Sequence, residues 1–453
     1  MTSQVTAGPG RPRLRELASA LRRRGIGRLV ARTAGFNVAS VMAAALGGII
    51  VARALGPEMR GEYAAVSAWF GLTLIVGSMG QPAALCFHVA HDPDNAASYV
   101  ATSRTLMLIT GTAAMTAGML FAPLLARGDT DLTAAYRIAF GTSIVAFVGS
   151  SYTASLQASN LRWWNTVRLS QPALSLAFLA VLWRLRLLTL TSALYVLAFT
   201  LLIQFGWAYY RCRSADLAPG RWQAALVRPL AGYGIAQIAA LAPATLNAQL
   251  DQLILSQVVP AAVLGRYAIA VTCTLLPIPL VAAIGYVAFP RLASRPSVDG
   301  LAHRMQWLGI LCSGCAAAAA LVPLALAAPW LIPLVFGPGY AGAVPLLWVL
   351  APSGVFMACN QVTGDILRGR KRPLVVARAE GLAAIFTVVL LAALLPIVGV
   401  YGAAIASTVA YGVALVMMLL SLRKLPYEGS GSRHSRHARM KPGAVRASSA
   451  TPS

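Results

Sequence analysis

The sequence predicts an all-α, polytopic membrane protein with twelve transmembrane helices in two pseudo-symmetric six-helix lobes. Three observations predict this fold. The 453 residues are 58% hydrophobic and 11% charged, with a mean hydropathy of +0.69, whereas a soluble domain carries about 25% charged residues. Apolar stretches of roughly 20 residues, enough to cross a bilayer, recur along nearly the whole chain. A loop in the first half is also echoed about 200 residues later.

The echo is a Gly-x-Tyr-Ala motif that follows an apolar stretch and a proline. Residues 61–64 read Gly-Glu-Tyr-Ala after Pro57, and residues 265–268 read Gly-Arg-Tyr-Ala after Pro260. Residues 155–162 and 366–372 correspond in the same way at a similar separation. Duplicated halves that face each other across a midplane are the usual build of a secondary transporter.

Twelve apolar segments are predicted to cross the membrane. They are 33–52, 62–88, 98–124, 133–157, 166–184, 188–210, 230–257, 264–290, 305–328, 341–366, 374–395 and 399–422. They divide the chain into a basic N-terminal tail (1–32), an N-lobe (33–213), a linker (214–228), a C-lobe (229–424) and a disordered basic C-terminal tail (425–453). Pro243 in span seven and Pro277 and Pro279 in span eight are expected to kink their helices.

The distribution of arginine predicts the orientation. Odd-numbered connections are nearly neutral, whereas most even-numbered connections are basic. The exceptions are the acidic connection at 89–97 and the Arg184/Arg186 pair. The basic connections hold Arg162, Arg211, Arg213, Arg221, Arg228, Arg291, Arg295, Arg304, Arg368, Arg370, Lys371 and Arg372. By the positive-inside rule, both termini and the even connections are cytoplasmic, in a plasma (inner) membrane protein.

The net charge of +24 does not indicate a nucleic acid partner. Much of it lies in the two tails, where arginines are not interleaved with the aromatic residues on which bases stack. Basic clusters beside a span instead bind anionic lipid headgroups. Membrane lipids are therefore expected partners, and nucleic acid is not.

The short connections leave no room for a soluble catalytic domain. Residues 92–94 and 129–131 both read Asp-x-Asp, a carboxylate pair that can hold a metal–nucleotide, but polar turns explain both as well. The chain has no glycine-rich phosphate loop. Cys312 and Cys315 lie within a predicted span without a second cysteine or histidine pair, which favours small buried residues over a metal site. We expect no enzymatic activity, no cofactor and no metal site.

Asp251 is the most informative intramembrane charge, because a charge within a span is expensive and faces a cavity, a partner or the interface. Asn247 lies one turn before it on the same helix face. We hypothesise that Asp251 and Asn247 line the central cleft and bind a proton or Na⁺, or gate the outer end. The alternative is an interfacial cap or a structural partner for a neighbouring helix.

The two echoed motifs carry opposite charges at equivalent positions, Glu62 and Arg266. We hypothesise that Glu62, Arg53 or Arg60 pairs with Arg266 or Asp251 across the lobes when the outer gate is closed. The alternative is that these residues are solvated helix ends, since exposed pairs contribute only about 0–1 kcal/mol.

Cationic side chains are predicted to line the inner ends of spans five, ten and eleven, where guanidinium groups hold phosphate bidentately. The candidates for binding a lipid phosphate are Arg168, Arg368, Arg370, Arg372 and Arg378, beside Lys371. The positive-inside rule explains the same positions without a ligand.

Several motifs resemble a known family. Ala-Leu-Gly-Pro at 54–57 followed by Gly-Glu-Tyr-Ala at 61–64 resembles the first-loop signature of polysaccharide-transport proteins, the O-antigen-type lipid-linked oligosaccharide flippases of the multidrug/oligosaccharidyl-lipid/polysaccharide (MOP) flippase superfamily. The likeness continues through 251–255, 264–268, 289–293, 331–340 and 400–404, and it covers about residues 30–424.

The resemblance implies two lobes in a V, as in multidrug and toxin extrusion (MATE) proteins, that alternate access. It implies transfer of an undecaprenyl-pyrophosphate-linked sugar unit from the inner to the outer leaflet for cell-surface polysaccharide biosynthesis. Expected partners are that lipid-linked oligosaccharide and the polysaccharide polymerase and export machinery. Span one has no charge between Thr33 and Ala52, so the arginines of lipid II flippases do not carry over. A MATE-like cation exporter and a membrane-embedded glycosyltransferase or polymerase are the alternatives.

Overall fold

The computed structural model describes residues 12–218, 220–278, 300–370 and 372–423. In these ranges the regular secondary structure is helical, and ten helices are long and apolar enough to cross a membrane. The first of these, Arg32–Ser78, contains a kink that separates two crossings, and α8 below is a shorter apolar helix. The predicted all-α fold of twelve membrane helices in two six-helix lobes is confirmed.

The helices follow the predicted spans closely. Their bounds are α1 Pro12–Ser78, α2 Gln81–His91, α3 Ala96–Leu125, α4 Thr130–Ser159, α5 Leu161–Arg184, α6 Leu190–Arg213, α7 Val227–Val258, α8 Ala261–Thr274, α9 Gly300–Phe336, α10 Ala343–Gly369, α11 Pro373–Val398 and α12 Val400–Arg423. Short 3₁₀ turns lie at Pro93–Asn95, Ala224–Leu226 and Pro338–Tyr340. Because α1 begins at Pro12, part of the predicted N-terminal tail is helical.

The prediction that residues 62–88 form one continuous span is wrong, because the helix breaks between Ser78 and Gln81. The chain enters it through the kink at Gly56, where φ is 71°, and leaves helical geometry again at Met79 and Gly80, with φ of 44° and 66°. The break has a physical reason, since a Cβ at Gly80 would overlap the carbonyl oxygen of Gly234 on α7. Glycine allows both the left-handed turn and this approach of two backbones.

The prolines of spans seven and eight behave differently. Helix α7 continues through Pro243, whereas α8 ends at Thr274, shortly before Pro277. Pro279, Arg291 and Arg295, with the remainder of span eight, lie outside the described residues, as does the predicted C-terminal tail.

The two ends of the bundle are named here by their charge. The basic end holds the α4–α5, α6–α7 and α10–α11 connections. The neutral end holds the Gly56 kink and the α3–α4, α5–α6, α7–α8, α9–α10 and α11–α12 connections. One group of packed helices consists of α1, α3, α4, α5 and α6. A second group consists of α7, α9, α10, α11 and α12, in which each helix contacts at least one other member. Between the lobes, α1 packs against α8 and α7, and α2 packs against α7.

Phe147 on α4 is the central packing residue of the first lobe. Its ring is 1% exposed, and a Cβ at either Gly77 or Gly111 would overlap it. Phe147→Ala should therefore destabilise the protein by about 3–5 kcal/mol, the usual loss for a buried aromatic ring. Thermal unfolding of the detergent-solubilised protein measures this effect. Phe121→Ala is the control, because Phe121 is 59% exposed, and equal shifts for the two variants would contradict the prediction.

Candidate functional site

The two echoed motifs meet at the neutral end, where the backbones of the two lobes touch. A Cβ at Gly61 would overlap the carbonyl oxygen of Ala261, and a Cβ at Gly265 would overlap that of Pro57. We call this contact between Gly61 and Gly265 the glycine crossing. Only glycine permits such an approach, so the echo marks the place where α1 and α8 cross.

Hydrogen bonds between the lobes surround the glycine crossing. The Tyr340 hydroxyl donates to the Ala52 carbonyl at 2.9 Å, and Arg53 Nη2 donates to the Leu334 carbonyl at 2.6 Å. Further along the same seam, the Trp69 indole Nε1 donates to Ser256 Oγ at 3.0 Å. These contacts hold the neutral ends of the lobes together.

The hypothesised ion pair across the lobes is not formed in this structure. Arg53 bonds a carbonyl, as just described, and Arg266 Nε donates to the Gly339 carbonyl at 3.2 Å. Glu62 is half-buried and has no cationic partner within the described ranges, where the ion pair that forms is Arg368 with Asp365. The physical reason is that α1 and α8 cross with their glycines in contact. The two arginines donate instead to the Leu334 and Gly339 carbonyls.

Asp251 is buried at the centre of a polar cluster in the C-lobe. The Tyr267 hydroxyl donates to Asp251 Oδ2 at 2.5 Å, and Ser407 Oγ donates to the same oxygen at 3.3 Å. Asp251 Oδ1 accepts from the Gln252 backbone N–H at 2.7 Å. All of these donors are neutral, so the carboxylate has no cation to balance a negative charge among the described residues.

Asn247, one turn before Asp251 on α7, contacts a second buried carboxylate. Its Nδ2 donates to Glu380 Oε2 at 3.5 Å, and its Oδ1 accepts from Thr387 Oγ1 at 2.9 Å. Glu380 is 8% exposed and Asp251 6%. We call Asp251, Asn247, Glu380, Thr387, Tyr267 and Ser407 the carboxylate cluster. Among the described residues, Asp251 has no cationic side chain near it, and Glu380 has only the more distant Arg368. The two carboxylates therefore favour protons or a bound cation, because an isolated buried charge is strongly unfavourable.

The predicted pair of Asp251 and Asn247 is thus brought together, and helices α8, α11 and α12 complete the cluster. The sequence reasoning missed Glu380 and Thr387, although they lie seven residues apart and so share a face of α11. The cluster also breaks the pseudo-symmetry. At the 204-residue offset between Gly61 and Gly265, Asn247 and Asp251 correspond to Ala43 and Gly47 in the first lobe.

The five candidate arginines lie at the basic end but do not form one site. Arg168 stacks on the Trp164 ring, 4.4 Å from its centroid, and donates to Asn37 Oδ1 at 3.4 Å. Arg368 pairs with Asp365 at 2.9 Å, and Arg370 donates to Gln306 Oε1 at 2.6 Å. Arg372 and Arg378 are exposed. Arg378 shares a stripe of α11 with the exposed Ile385 and Val389.

A cavity of about 690 Å³ lies between the lobes in the basic half. We call it the seam cavity. Its walls are α2, the end of α4, and α7, which contributes Tyr233 and Gln237. A second cavity of about 260 Å³ inside the first lobe also has Pro82 and Gln157 in its lining, so the two are neighbours, and we call them the seam branch (the seam cavity) and the first-lobe branch. The first-lobe branch reaches Trp164 and Gln204.

The sequence profile described as polysaccharide biosynthesis protein matches residues 27–295, more than half of the chain. The chain belongs to the polysaccharide biosynthesis protein family. This confirms the resemblance seen in the first-loop motif. No curated protein matches the sequence.

Solved structures similar to this polysaccharide biosynthesis protein are membrane transporters. An inward-facing multidrug resistance MATE family transporter of the MOP superfamily is 13% identical, with a TM-score of 0.71 over 84% of this chain and 94% of the other. The lipid II flippase MurJ, in an inward closed conformation, is 12% identical, with a TM-score of 0.70 over 86% and 88%. The MATE multidrug transporter DinF-BH is 12% identical, with a TM-score of 0.63 over 87% and 94%.

Likeness at this level of identity shows the fold alone, and the family match adds membership among polysaccharide biosynthesis proteins. This chain is therefore a multi-pass membrane protein of the polysaccharide biosynthesis protein family, with the fold of the MATE and MurJ transporters.

Proposed function

We propose that the protein moves an undecaprenyl-(pyro)phosphate-linked oligosaccharide repeat unit from the cytoplasmic to the outer leaflet of the plasma membrane. It does so by alternating access, for cell-surface polysaccharide biosynthesis. In this proposal the basic end and both termini are cytoplasmic, following the positive-inside rule. The polysaccharide polymerase and export machinery receive the unit at the neutral end.

One observation carries this proposal. The lobes touch backbone to backbone at the neutral end through the glycine crossing, while a cavity with walls from both lobes lies in the basic half. Rocking the lobes about this seam would open the neutral end and carry the contents of the cavity across the membrane. Rigid movement of one repeat against the other is the common mechanism for proteins built from two related halves.

The carboxylate cluster is the ion-coupling site in this proposal. It offers carboxylate, amide and hydroxyl oxygens in a buried position, as a Na⁺ ion or a proton requires. Because α7 carries two of its residues and also contacts α1 and α2, binding of a cation to the cluster would bias the contact between the lobes. In this proposal Glu62, Arg53 and Arg266 form the gate at the neutral end. The two arginines act there through their hydrogen bonds to the Leu334 and Gly339 carbonyls.

Among the candidate phosphate ligands, Arg168 best tests whether an arginine binds phosphate or only sets the orientation in the membrane. Arg168→Gln should lower transport about tenfold, the effect of one charge-assisted hydrogen bond. Arg162→Gln is the matched control, because Arg162 is exposed at the same end of α5 and contributes equally to the positive-inside rule. Surface polysaccharide restored to a deletion strain measures both variants, and equal losses would contradict a role in phosphate binding.

A deletion strain tests the function itself. The proposal expects lipid-linked sugar units to accumulate in the cytoplasmic leaflet and surface polysaccharide to be lost, with both restored by the wild-type gene. A strain with normal polysaccharide and increased sensitivity to cationic drugs would instead support the second candidate, a MATE-like exporter.

The second candidate is favoured by the fold, since a multidrug MATE transporter matches as well as MurJ does. The position of the acidic groups argues against it. An exporter of organic cations needs a carboxylate on the transport path, whereas Asp251 and Glu380 are buried among α7, α8, α11 and α12. No acidic residue is among those described as lining the seam cavity.

A further inference from the structure

The seam cavity has a chemical character of its own. Its α2 wall is a single helix face, formed by Pro82, Ala83, Cys86, Phe87, Ala90 and His91. Aromatic rings and carboxamides supply its specific contacts, and no Asp, Glu, Lys or Arg is among the described residues that line either branch. His91 is the basic side chain among these residues, so a phosphate or an organic cation would find no permanently charged partner among them.

Three nearly parallel rings cross the seam between the lobes. The Phe87 ring stacks on Tyr233, with centroids 4.6 Å apart and planes 16° apart. On the same helix, Phe87 and His91 are 5.8 Å and 6° apart. Phe87 is 45% exposed, so part of its side chain stays open to a ligand in the seam cavity. A flat aromatic surface of this kind suits a ligand with one apolar ring face.

Glutamine carboxamides lie beside the rings and keep donors or acceptors that no described residue uses. Gln157 is exposed to both branches and Gln237 is half-buried in the seam cavity. Within the part of the chain that the structure describes, neither has a protein partner. Gln204 uses only its Nε2, which donates to the Val167 carbonyl at 3.0 Å. An amide presents both donors and an acceptor, which matches the dual character of a sugar hydroxyl.

We propose that the seam cavity is a subsite for one or more neutral hexose rings of the transported unit. The rings of Phe87 and Tyr233 stack on the C–H face of the sugar, and Gln157 and Gln237 bond its hydroxyls. The volume of about 690 Å³ lies in the range of about 300–1,000 Å³ that is typical of small-molecule sites. This inference rests on the proposed function. It assigns the sugar to the seam cavity, and the phosphate candidate Arg168 lies nearby, stacked on the Trp164 ring.

The test compares lipids that differ only in the sugar. Purified full-length protein in detergent is titrated with undecaprenyl pyrophosphate, bare or carrying one glucose, galactose or N-acetylglucosamine, and binding is followed by thermophoresis. At least one sugar should tighten binding about tenfold, the combined worth of a stacking contact and a hydrogen bond. Phe87→Ala and Gln157→Leu should each reduce that gain to about threefold, since each removes one of the two contacts, and leave the affinity for the bare lipid unchanged.

Matched controls are Phe121→Ala and Gln361→Leu, which alter an exposed ring on α3 and an exposed amide on α10. If Phe87→Ala does not fold, Phe87→Leu keeps the apolar volume and removes only the ring. The inference is overturned if no sugar tightens binding, or if the variants weaken the bare and sugar-bearing lipids equally. If neither the bare nor the sugar-bearing lipids bind the wild-type protein, the proposed function itself fails.

Discussion

Replacing Gly61 with leucine should abolish transport, because the neutral ends of the lobes could then no longer come together. Any side chain at this position must overlap the Ala261 carbonyl oxygen, which is backbone and cannot rotate away. Gly265→Leu should have the same effect, through the Pro57 carbonyl. We expect the protein to be held open at the neutral end, with lipid-linked sugar units accumulating in the cytoplasmic leaflet.

The matched control is Gly48→Leu, on the same helix, where an added Cβ would meet nothing within 4 Å. Opening can be followed with a cysteine at Ser256 in a protein without its native cysteines, because Ser256 lies under Trp69 in the closed seam. Gly61→Leu should increase its labelling by a membrane-impermeant maleimide, and Gly48→Leu should not. Normal transport by Gly61→Leu would show that the glycine crossing is not a gate.

Neutralising the carboxylate cluster is the second substitution with a large expected effect. Asp251→Asn keeps the size of the side chain and an acceptor for Tyr267, but it removes the charge that would attract a cation. Glu380→Gln likewise keeps the size of the side chain and an acceptor for Asn247, and it removes the charge. If each carboxylate contributes one charge-assisted contact to the bound ion, each variant should lower transport at least about tenfold. Their abundance in the membrane should stay normal.

Inverted membrane vesicles measure this effect, with Na⁺ and proton gradients imposed separately. The wild-type protein should respond to one of the two gradients, and Asp251→Asn and Glu380→Gln should respond to neither. Asp131→Asn is the control, because Asp131 is exposed and lies on α4 in the other lobe, outside the cluster. Variants that keep the response of the wild-type protein would place the coupling ion elsewhere or show that none is needed.

Local sequence patterns predicted those parts of the fold that depend on short stretches of chain. Apolar length placed most span ends to within a few residues, since a bilayer sets the length of any helix that crosses it. The exceptions are α1, which begins well before residue 33, and α9, which continues to Phe336. The repeated Gly-x-Tyr motif indicated two related halves, and its glycines prove to be where the lobes touch. The spacing of Asn247 and Asp251 placed both on one face of α7, and the structure keeps them together.

Contacts between distant segments could not be predicted in the same way. The turn at Met79 and Gly80 depends on Gly234, which lies more than 150 residues further along the chain. Glu380 joins Asn247 only because α11 packs against α7. The hypothesised pairing of Glu62 with Arg266 is not formed in this structure for a related reason. The opposite charges at equivalent positions of the repeat suggested the pair. The carbonyls that bond Arg53 and Arg266 belong to Leu334 and Gly339, which are distant from both arginines in the sequence.

A reversible lock on the neutral end tests most directly whether the lobes must separate there. Cysteines replace Trp69 and Ser256, whose side chains bridge the lobes at 3.0 Å, and a cleavable bismaleimide joins them in a protein without native cysteines. We predict that the lock stops transport of the lipid-linked sugar unit and that cleavage with a reductant restores it. Full transport by the locked protein would contradict alternating access through this seam.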